Sequence, residues 1–490
     1  MKSSMYTAIA TGLVLYACLM LGVSLFWMAR VKRATDYLVA GRGLPVWVLT
    51  GTITATCIGT GVVIGASGLA YRHGWAGCAY PIGLGLGTLL TGLWFSMMRR
   101  YKFMTLSEEI ACFYGRNRIV VEFSNISLFL SQLCWLTVQI MGGGAVLGAV
   151  TRLPPALCVV IAGLITAVIS IPGGLKTVVY TDFLQAVILL CGFTVLTHLA
   201  LAQSGGLAGL HRAVPASYFS FLGVDSYGSW NIISLVLALV LSVVADPGRR
   251  LSMYASRAEG AAKWSMVTAG TIVIVFSITV GIIGMFAFSL NPHLSSADQA
   301  LPWLITKVLT PWPAALVVVS VTSAIFSSAN GTVAAAGTFY VRHIYPLVTG
   351  HYPARPLVTV RRALICAFII ATTTAMYTGN IVGFVAEFLP VTMSGLAIII
   401  LIGHFWKRAT WQGALAALAV TPAVSLALMF GTGHTGVDTN PTIPAAVAGT
   451  LALVAVSVVT SREKRTFAEV AENMAHERRA VEGEPPELGI

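Results

Sequence analysis

Apolar stretches of bilayer length recur along the whole chain, near residues 6–28, 44–70, 75–98, 119–150, 154–171, 177–202, 231–255, 264–289, 312–344, 358–378, 381–402, 411–430 and 443–461. A helix needs about 20 predominantly apolar residues to cross a membrane. In lipid, every backbone polar group must be satisfied within the chain. Thirteen such stretches therefore predict an all-α integral membrane bundle. With 57% hydrophobic and 10% charged residues, the chain does not read as a soluble globule. The first stretch lacks a small-residue cleavage site and is followed by Arg30, Lys32 and Arg33, so it reads as a span rather than a signal peptide.

The net charge of +12 would suit nucleic acid, but its distribution argues for a membrane. With the N-terminus outside, 25 of the 30 Lys and Arg residues fall on the cytoplasmic side. Only Lys2, Arg72, Arg152, Arg212 and Lys307 remain outside. The positive-inside rule thus predicts a multi-pass plasma (inner) membrane protein with its C-terminus in the cytoplasm. The eight cysteines are scattered singly, without paired spacing. Nothing points to nucleic acid or to an obligate protein partner.

One span is rich in hydroxyls. Val321 to Tyr345 carries Ser323, Ser327, Ser328, Asn330, Thr332 and Thr338 among Ala and Gly. Small residues let helices approach closely inside a bundle. Ala324, Ser327 and Ser328 share one helical face. Beside a partner with free carbonyls, that face would make an oxygen nest for a hard cation such as sodium. Taken alone, the helix reads as packing, with hydroxyls bonded back to carbonyls one turn earlier.

Two spans are interrupted. Residues 41–71 contain Gly51, Gly59, Gly61, Gly65 and Gly68, with five threonines between Thr50 and Thr60. The seventh span carries Asp246-Pro247-Gly248, where proline blocks the preceding turn. Irregular backbone is tolerated in a membrane where it lines a cavity. Two broken helices five spans apart point to a transporter built from inverted repeats, here 44–202 and 231–402, within a membrane domain of residues 1–461. Residues 462–490 turn polar and form a cytoplasmic tail, with a short amphipathic helix and a disordered end expected.

Ile171 to Gln185 reads IPGGLKTVVYTDFLQ. This segment resembles the signature of the sodium/solute symporter family. The residues 37–42 with Ala55-Thr56 and 68–71, the run 323–330 with 340–345, and the turn 405–414 are similar to further family motifs in the same order. The resemblance implies the leucine-transporter fold with a 5+5 inverted repeat, alternating access, and sodium as the coupling ion. Carried over by matching motifs, the carbonyls of Ala55, Ile58 and Ala324 and the hydroxyls of Ser327 and Ser328 would hold it. Some members bind a second sodium. The corresponding residues here are Asp182 and Asn330, with Gly331 offering no side chain. One sodium is the expected number, and Asp182 has an alternative reading as a helix-start acid stabilised by the dipole.

For the solute, the resemblance points to Thr60, Val62, Tyr80, Asp246 and Ala386, with Gln139 as a further pocket residue. Val62 and Pro81 stand where the sodium/galactose-type members carry polar contacts, which argues against a galactose-type site. Intramembrane acids are costly and usually functional. Asp246 is therefore expected to accept from a cationic, amine or hydroxyl group of the solute. Glu387 is expected to be a proton carrier or a structural acid. No Lys or Arg is expected in the core to meet a solute carboxylate. A sodium-coupled importer of a small polar organic solute follows. Its alternatives are a proton-coupled or uncoupled transporter of the same fold, or a sensor subunit. A membrane enzyme is not expected, because no nucleophile–base pair or metalloprotease motif occurs.

Overall fold

A computed structural model describes residues 2–28, 30, 39–151, 153–170, 175–351, 353, 355–378, 380–431, 440–461 and 466–482. Among these residues the chain is helical apart from turns and a single backbone bridge. The principal helices are α1 (Lys2–Met28), α2 (Val46–Cys57), α3 (Ser67–His73), α4 (Ala79–Phe95), α5 (Leu106–Phe113), α6 (Arg118–Thr151), α7 (Pro155–Ser170), α8 (Leu175–Ser204) and α9 (Ser229–Val244). They continue with α10 (Pro247–Tyr254), α11 (Glu259–Leu290), α12 (Pro311–Phe339), α13 (Pro356–Tyr377), α14 (Ile381–Leu389), α15 (Gly395–Phe405), α16 (Trp411–Gly431), α17 (Thr442–Val459) and α18 (Phe467–Glu482).

Ten described helical stretches are long and apolar enough to cross a membrane, or eleven when α9 and α10, bent by 45° at their junction, form one span. Val46–Cys57 and Pro155–Ala167 are shorter apolar helices. Each expected span coincides with a helix or a broken pair of helices. The motif residues Tyr37, Leu38 and Ile171 to Gly174, the stop-transfer residues Lys32 and Arg33, and the last eight residues of the tail lie outside the described residues.

Close packing depends on small residues. A Cβ on Gly85 of α4 would sit 2.7 Å from the Gly270 carbonyl of α11, and one on Gly270 would sit 2.6 Å from the Gly85 carbonyl. With no Cβ at either glycine, the backbones come into contact there, the kind of close approach that small residues permit between membrane helices. α12 is central: it packs against α1, α2, α6 and α8, and its serines and all its alanines except Ala334 are buried.

Both predicted interruptions exist. α2 stops at Cys57, and Ile58 is non-helical (φ −90°, ψ 62°) before a wide helical turn, Gly61–Ala66, leads into α3. α9 stops at Val244, and α10 restarts at Pro247. Pro247 suits the first helical position, where its missing N–H is not needed. The far ends of α2 and α10 are tied together, with Leu44 N–H bonding the Ala255 carbonyl (3.3 Å) and Arg257 N–H the Leu44 carbonyl (3.1 Å). The tail forms α18, started by a reciprocal cap in which Thr466 N–H donates to Glu469 Oε2 (2.8 Å). Phe467 packs on Tyr101, Phe103 and Phe113.

Candidate ion and solute site

The break in α2 frees the last carbonyls of that helix, which have no intrahelical partner. Two of them face α12. The Ser327 hydroxyl donates to the Ala55 carbonyl (3.0 Å) and to the Ala324 carbonyl (3.1 Å). The Ser328 hydroxyl donates to the Thr56 carbonyl (3.2 Å). Sequence reasoning omitted Thr56, whose carbonyl stands in the same last turn. Ser327 is fully buried and Ser328 is 6% exposed. The cluster is made of oxygen donors alone, and the helix C-terminus adds negative potential. This chemistry fits a hard monovalent cation. Ile58 is buried in the non-helical step between the two half-helices.

The neighbouring backbone leaves no room for a side chain. A Cβ on Gly59 would come 2.3 Å from Ser328 Oγ, and one on Gly61 would come 2.2 Å from Tyr80 Oη. The helix beyond the break starts with its own first donors satisfied from another span. Gln139 Oε1 of α6 accepts both the Thr60 N–H (3.2 Å) and the Thr60 hydroxyl (2.8 Å). Gln139 thus acts as an N-cap supplied in trans.

A cavity runs from the two breaks toward the end of the bundle where α8 begins and α10 ends. Val62, Tyr80, Gln139, Asp246, Asp182 and Ser328 line it, as do Gln132, Trp135 and Arg249. Tyr80 Oη and Trp135 Nε1 are buried there without a partner. The bundle is sealed at the opposite end. Asp298 Oδ2 accepts the Ile381 N–H (3.0 Å), and Gly68 lies against the Ala297 backbone.

Thr60 is turned to Gln139 and does not line the cavity. Ala386 lies half-buried on α14, also away from it. Glu387 is exposed and outside the cavity. Asp182 is not a helix-start acid: α8 is already formed at Leu175, two turns earlier, and the dipole effect fades within the first turn. Asp182 is fully buried, with Oδ2 accepting from the Thr52 hydroxyl (2.7 Å) and Oδ1 without a partner. Asn330 Oδ1 is likewise buried and unpartnered, and no hydrogen bond joins it to Asp182.

The largest correction concerns the core cation. Arg249 lines the cavity with 6% of its side chain exposed and forms an ion pair with Asp246. Asp246 also caps α10, accepting the Gly248 N–H (2.7 Å) and the Arg249 N–H (3.4 Å). Its carboxylate already has a cationic partner and two backbone donors. The signal was present in the order Asp-Pro-Gly-Arg: an N-cap acid followed by N1 proline starts a helix, and its third residue, Arg249, returns to the side of the cap.

A family model described as the sodium:solute symporter family matches residues 37–421. The sodium/glucose cotransporter of Vibrio parahaemolyticus is 25% identical over 459 residues, covering 85% of this chain and 84% of the relative. The sodium/pantothenate symporter of Escherichia coli is 23% identical over 426 residues, covering 83% and 88%. Among solved structures, a Na+-coupled sialic acid symporter in a substrate-bound outward-open state superposes with a TM-score of 0.76 at 17% identity, covering 94% of this chain and 98% of that one. Mhp1, a nucleobase-cation-symport-1 family transporter, superposes with a TM-score of 0.59 at 14% identity, covering 89% and 98%. The fold is of the leucine-transporter type.

Proposed function

The chain belongs to the sodium:solute symporter family, and from that premise we propose that it imports a small organic solute together with sodium by alternating access. It is a membrane transporter and not an enzyme. In this reading Ser327, Ser328 and the carbonyls of Ala55, Thr56, Ile58 and Ala324 hold the sodium. The observation that carries it is the meeting of the two serine hydroxyls with carbonyls freed by the α2 break (3.0 and 3.2 Å). In the ion-loaded site the hydroxyls would turn their lone pairs inward. Val62, Tyr80, Gln139 and Asp246 form the solute side of the same cavity, with Gln139 and Asp246 shaping the two breaks.

The repeats are assigned to 44–202 and 231–402, each opening on a broken helix. With the N-terminus outside the plasma membrane, the cavity mouth faces the cytoplasm, and the seal at Asp298 faces outward. One sodium crossing ~100 mV releases ~2.3 kcal/mol. A tenfold gradient adds ~1.4 kcal/mol. Together these support accumulation of a neutral solute by a few hundred-fold.

The test is the melting temperature of the purified protein against a panel of nutrients, in sodium chloride and in choline chloride. A ligand of the folded state raises it by mass action. A solute that stabilises only in sodium, with the effect lost in Ser328→Ala, supports the reading. Equal stabilisation in both salts would refute sodium coupling. Proton coupling is a second reading, favoured by the buried, unpartnered Oδ1 of Asp182. Uptake independent of pH would exclude it.

A further inference from the structure

Deepening the symporter reading, we propose that the solute is a small organic monocarboxylate and that Arg249 is its anchor. Arg249 is a cation on the cavity wall, nine-tenths buried. A buried charge is retained at high cost unless it is paired or used. Its pairing here is incomplete. Nη1 donates to Asp246 Oδ2 and Nε donates to the Cys57 sulfur (3.4 Å), a weak acceptor. Among the described residues, Nη2 donates to none. A guanidinium presents a planar fork that matches a carboxylate with two parallel bonds.

The surroundings point to the same ligand. α10 begins at Pro247 beside the cavity, so its positive end faces the same space as the guanidinium. Two further donors, Tyr80 Oη and Trp135 Nε1, are buried on the wall without partners. With the Arg249 fork these donors suit an acceptor-rich solute, while Asp182 Oδ1 is an unpartnered acceptor on the same wall. The oxygens of Asp246 are occupied by the Gly248 and Arg249 amides and by the Arg249 side chain. Asp246 therefore stands where a ligand carboxylate would, as an internal counter-ion. It keeps Arg249 neutralised when the solute is absent and yields part of the fork when the solute binds. A single guanidinium beside two acids, Asp182 and Asp246, suits a monoanion better than a dianion such as phosphate. Val62, Leu84 and Val178 give the cavity an apolar part for the carbon skeleton.

Asp246 thus serves Arg249 rather than a donor group of the solute. An amine-bearing solute would meet Arg249 beside its acceptor and be repelled. A neutral polyol would leave the guanidinium fork half-used.

The experiment measures melting temperature in sodium chloride against small monocarboxylates, each beside its amide: acetate and acetamide, lactate and lactamide, benzoate and benzamide. Sodium and phosphate are also tested alone. At least one acid is expected to stabilise, with its amide at least tenfold weaker. Asp246→Asn should tighten binding of that acid at least tenfold by removing the competing carboxylate. Arg249→Gln combined with Asp246→Asn, which buries no unpaired charge, should weaken it at least tenfold and abolish the preference for acid over amide. Stabilisation by sodium alone should survive in that double variant. The assignment is overturned if no acid stabilises, if amides or phosphate match the acids, or if the acid preference persists in the double variant. Loss of the sodium effect in the unaltered protein would instead strike the symporter reading, leaving the acid–amide comparison to judge the anchor separately.

Discussion

Arg249 and Arg250 are neighbours in sequence, both buried, and each meets a different carboxylate. Arg249 pairs with Asp246 at the cavity. Arg250 is turned away, pairing with Glu109 of α5 (3.3 Å) and lying 3.8 Å from the centre of the Phe95 ring. One short helix thus carries a charge to the solute cavity and a charge to the packing beneath it. Glu109 also accepts from the Tyr254 hydroxyl (2.5 Å), which closes a fully buried triad.

Breaking that triad on one side should be severe. Glu109→Gln leaves the Arg250 cation without its counter-charge, and removing one partner of a buried pair costs about 3–5 kcal/mol. The expected result is a marked fall in stability against denaturant. Joint replacement, Glu109→Leu with Arg250→Met, removes both charges and should recover most of the loss. If Glu109→Gln matches the unaltered protein, the triad holds nothing together.

Gly59 gives a test of the oxygen cluster that alters none of its donors. A Cβ there would lie 2.3 Å from Ser328 Oγ, closer than real side chains approach. Gly59→Ala should push Ser328 off the Thr56 carbonyl and weaken sodium-dependent stabilisation at least tenfold. Gly148→Ala, whose Cβ would meet only Cys158 Sγ at 3.8 Å, serves as the control. Sodium titrations followed by melting temperature would show the difference.

Gln139 should matter through the backbone rather than through the solute. Gln139→Leu strands the Thr60 N–H and hydroxyl, both satisfied by one oxygen in the native protein. Leaving buried donors unsatisfied costs about 1–3 kcal/mol. A fall in stability of that size is expected without any solute present. Gln139→Glu keeps the acceptor and should retain most of the stability. Were Gln139 only a solute contact, both variants would melt like the parent until solute was added.

Much of this arrangement was legible in the sequence, because apolar length and helix breakers act locally. The spans, an interruption among the glycines of residues 41–71 and the break at Pro247 follow from composition and proline chemistry alone. Ser327 and Ser328 could be placed on one face by helical periodicity, though their partners could not. Arg249 was illegible for a different reason. In the sequence it stands in an Arg-Arg pair that counts toward a basic cytoplasmic edge, and only the register of α10 against the cavity reveals that it turns inward. The helix-start reading of Asp182 failed because α8 is already formed at Leu175. Ala386 and Glu387 could not be placed relative to the cavity from sequence, because rotation of α14 about its axis, set by packing, decides which face meets it.

Asp298 supplies a prediction about acidity at the sealed end. Burial pushes its carboxyl above the ordinary carboxylate value, and the Ile381 N–H and the Arg72 guanidinium pull it partly back. When this end opens, Asp298 returns to water and to its ordinary value. The sealed form therefore binds a proton more readily than the open form. Between the two values the sealed form gains stability as pH falls, since a state with more bound protons is favoured by acid. The gain levels off once both forms are protonated. Amide hydrogen exchange over 381–385, corrected for intrinsic rates, should become slower as pH is lowered from 7 through that window. Asp298→Asn should abolish the dependence while leaving a side-chain oxygen to accept from Ile381. Faster corrected exchange at low pH in the native protein would mean that the ionised carboxylate holds the seal, and that the raised value does not govern opening.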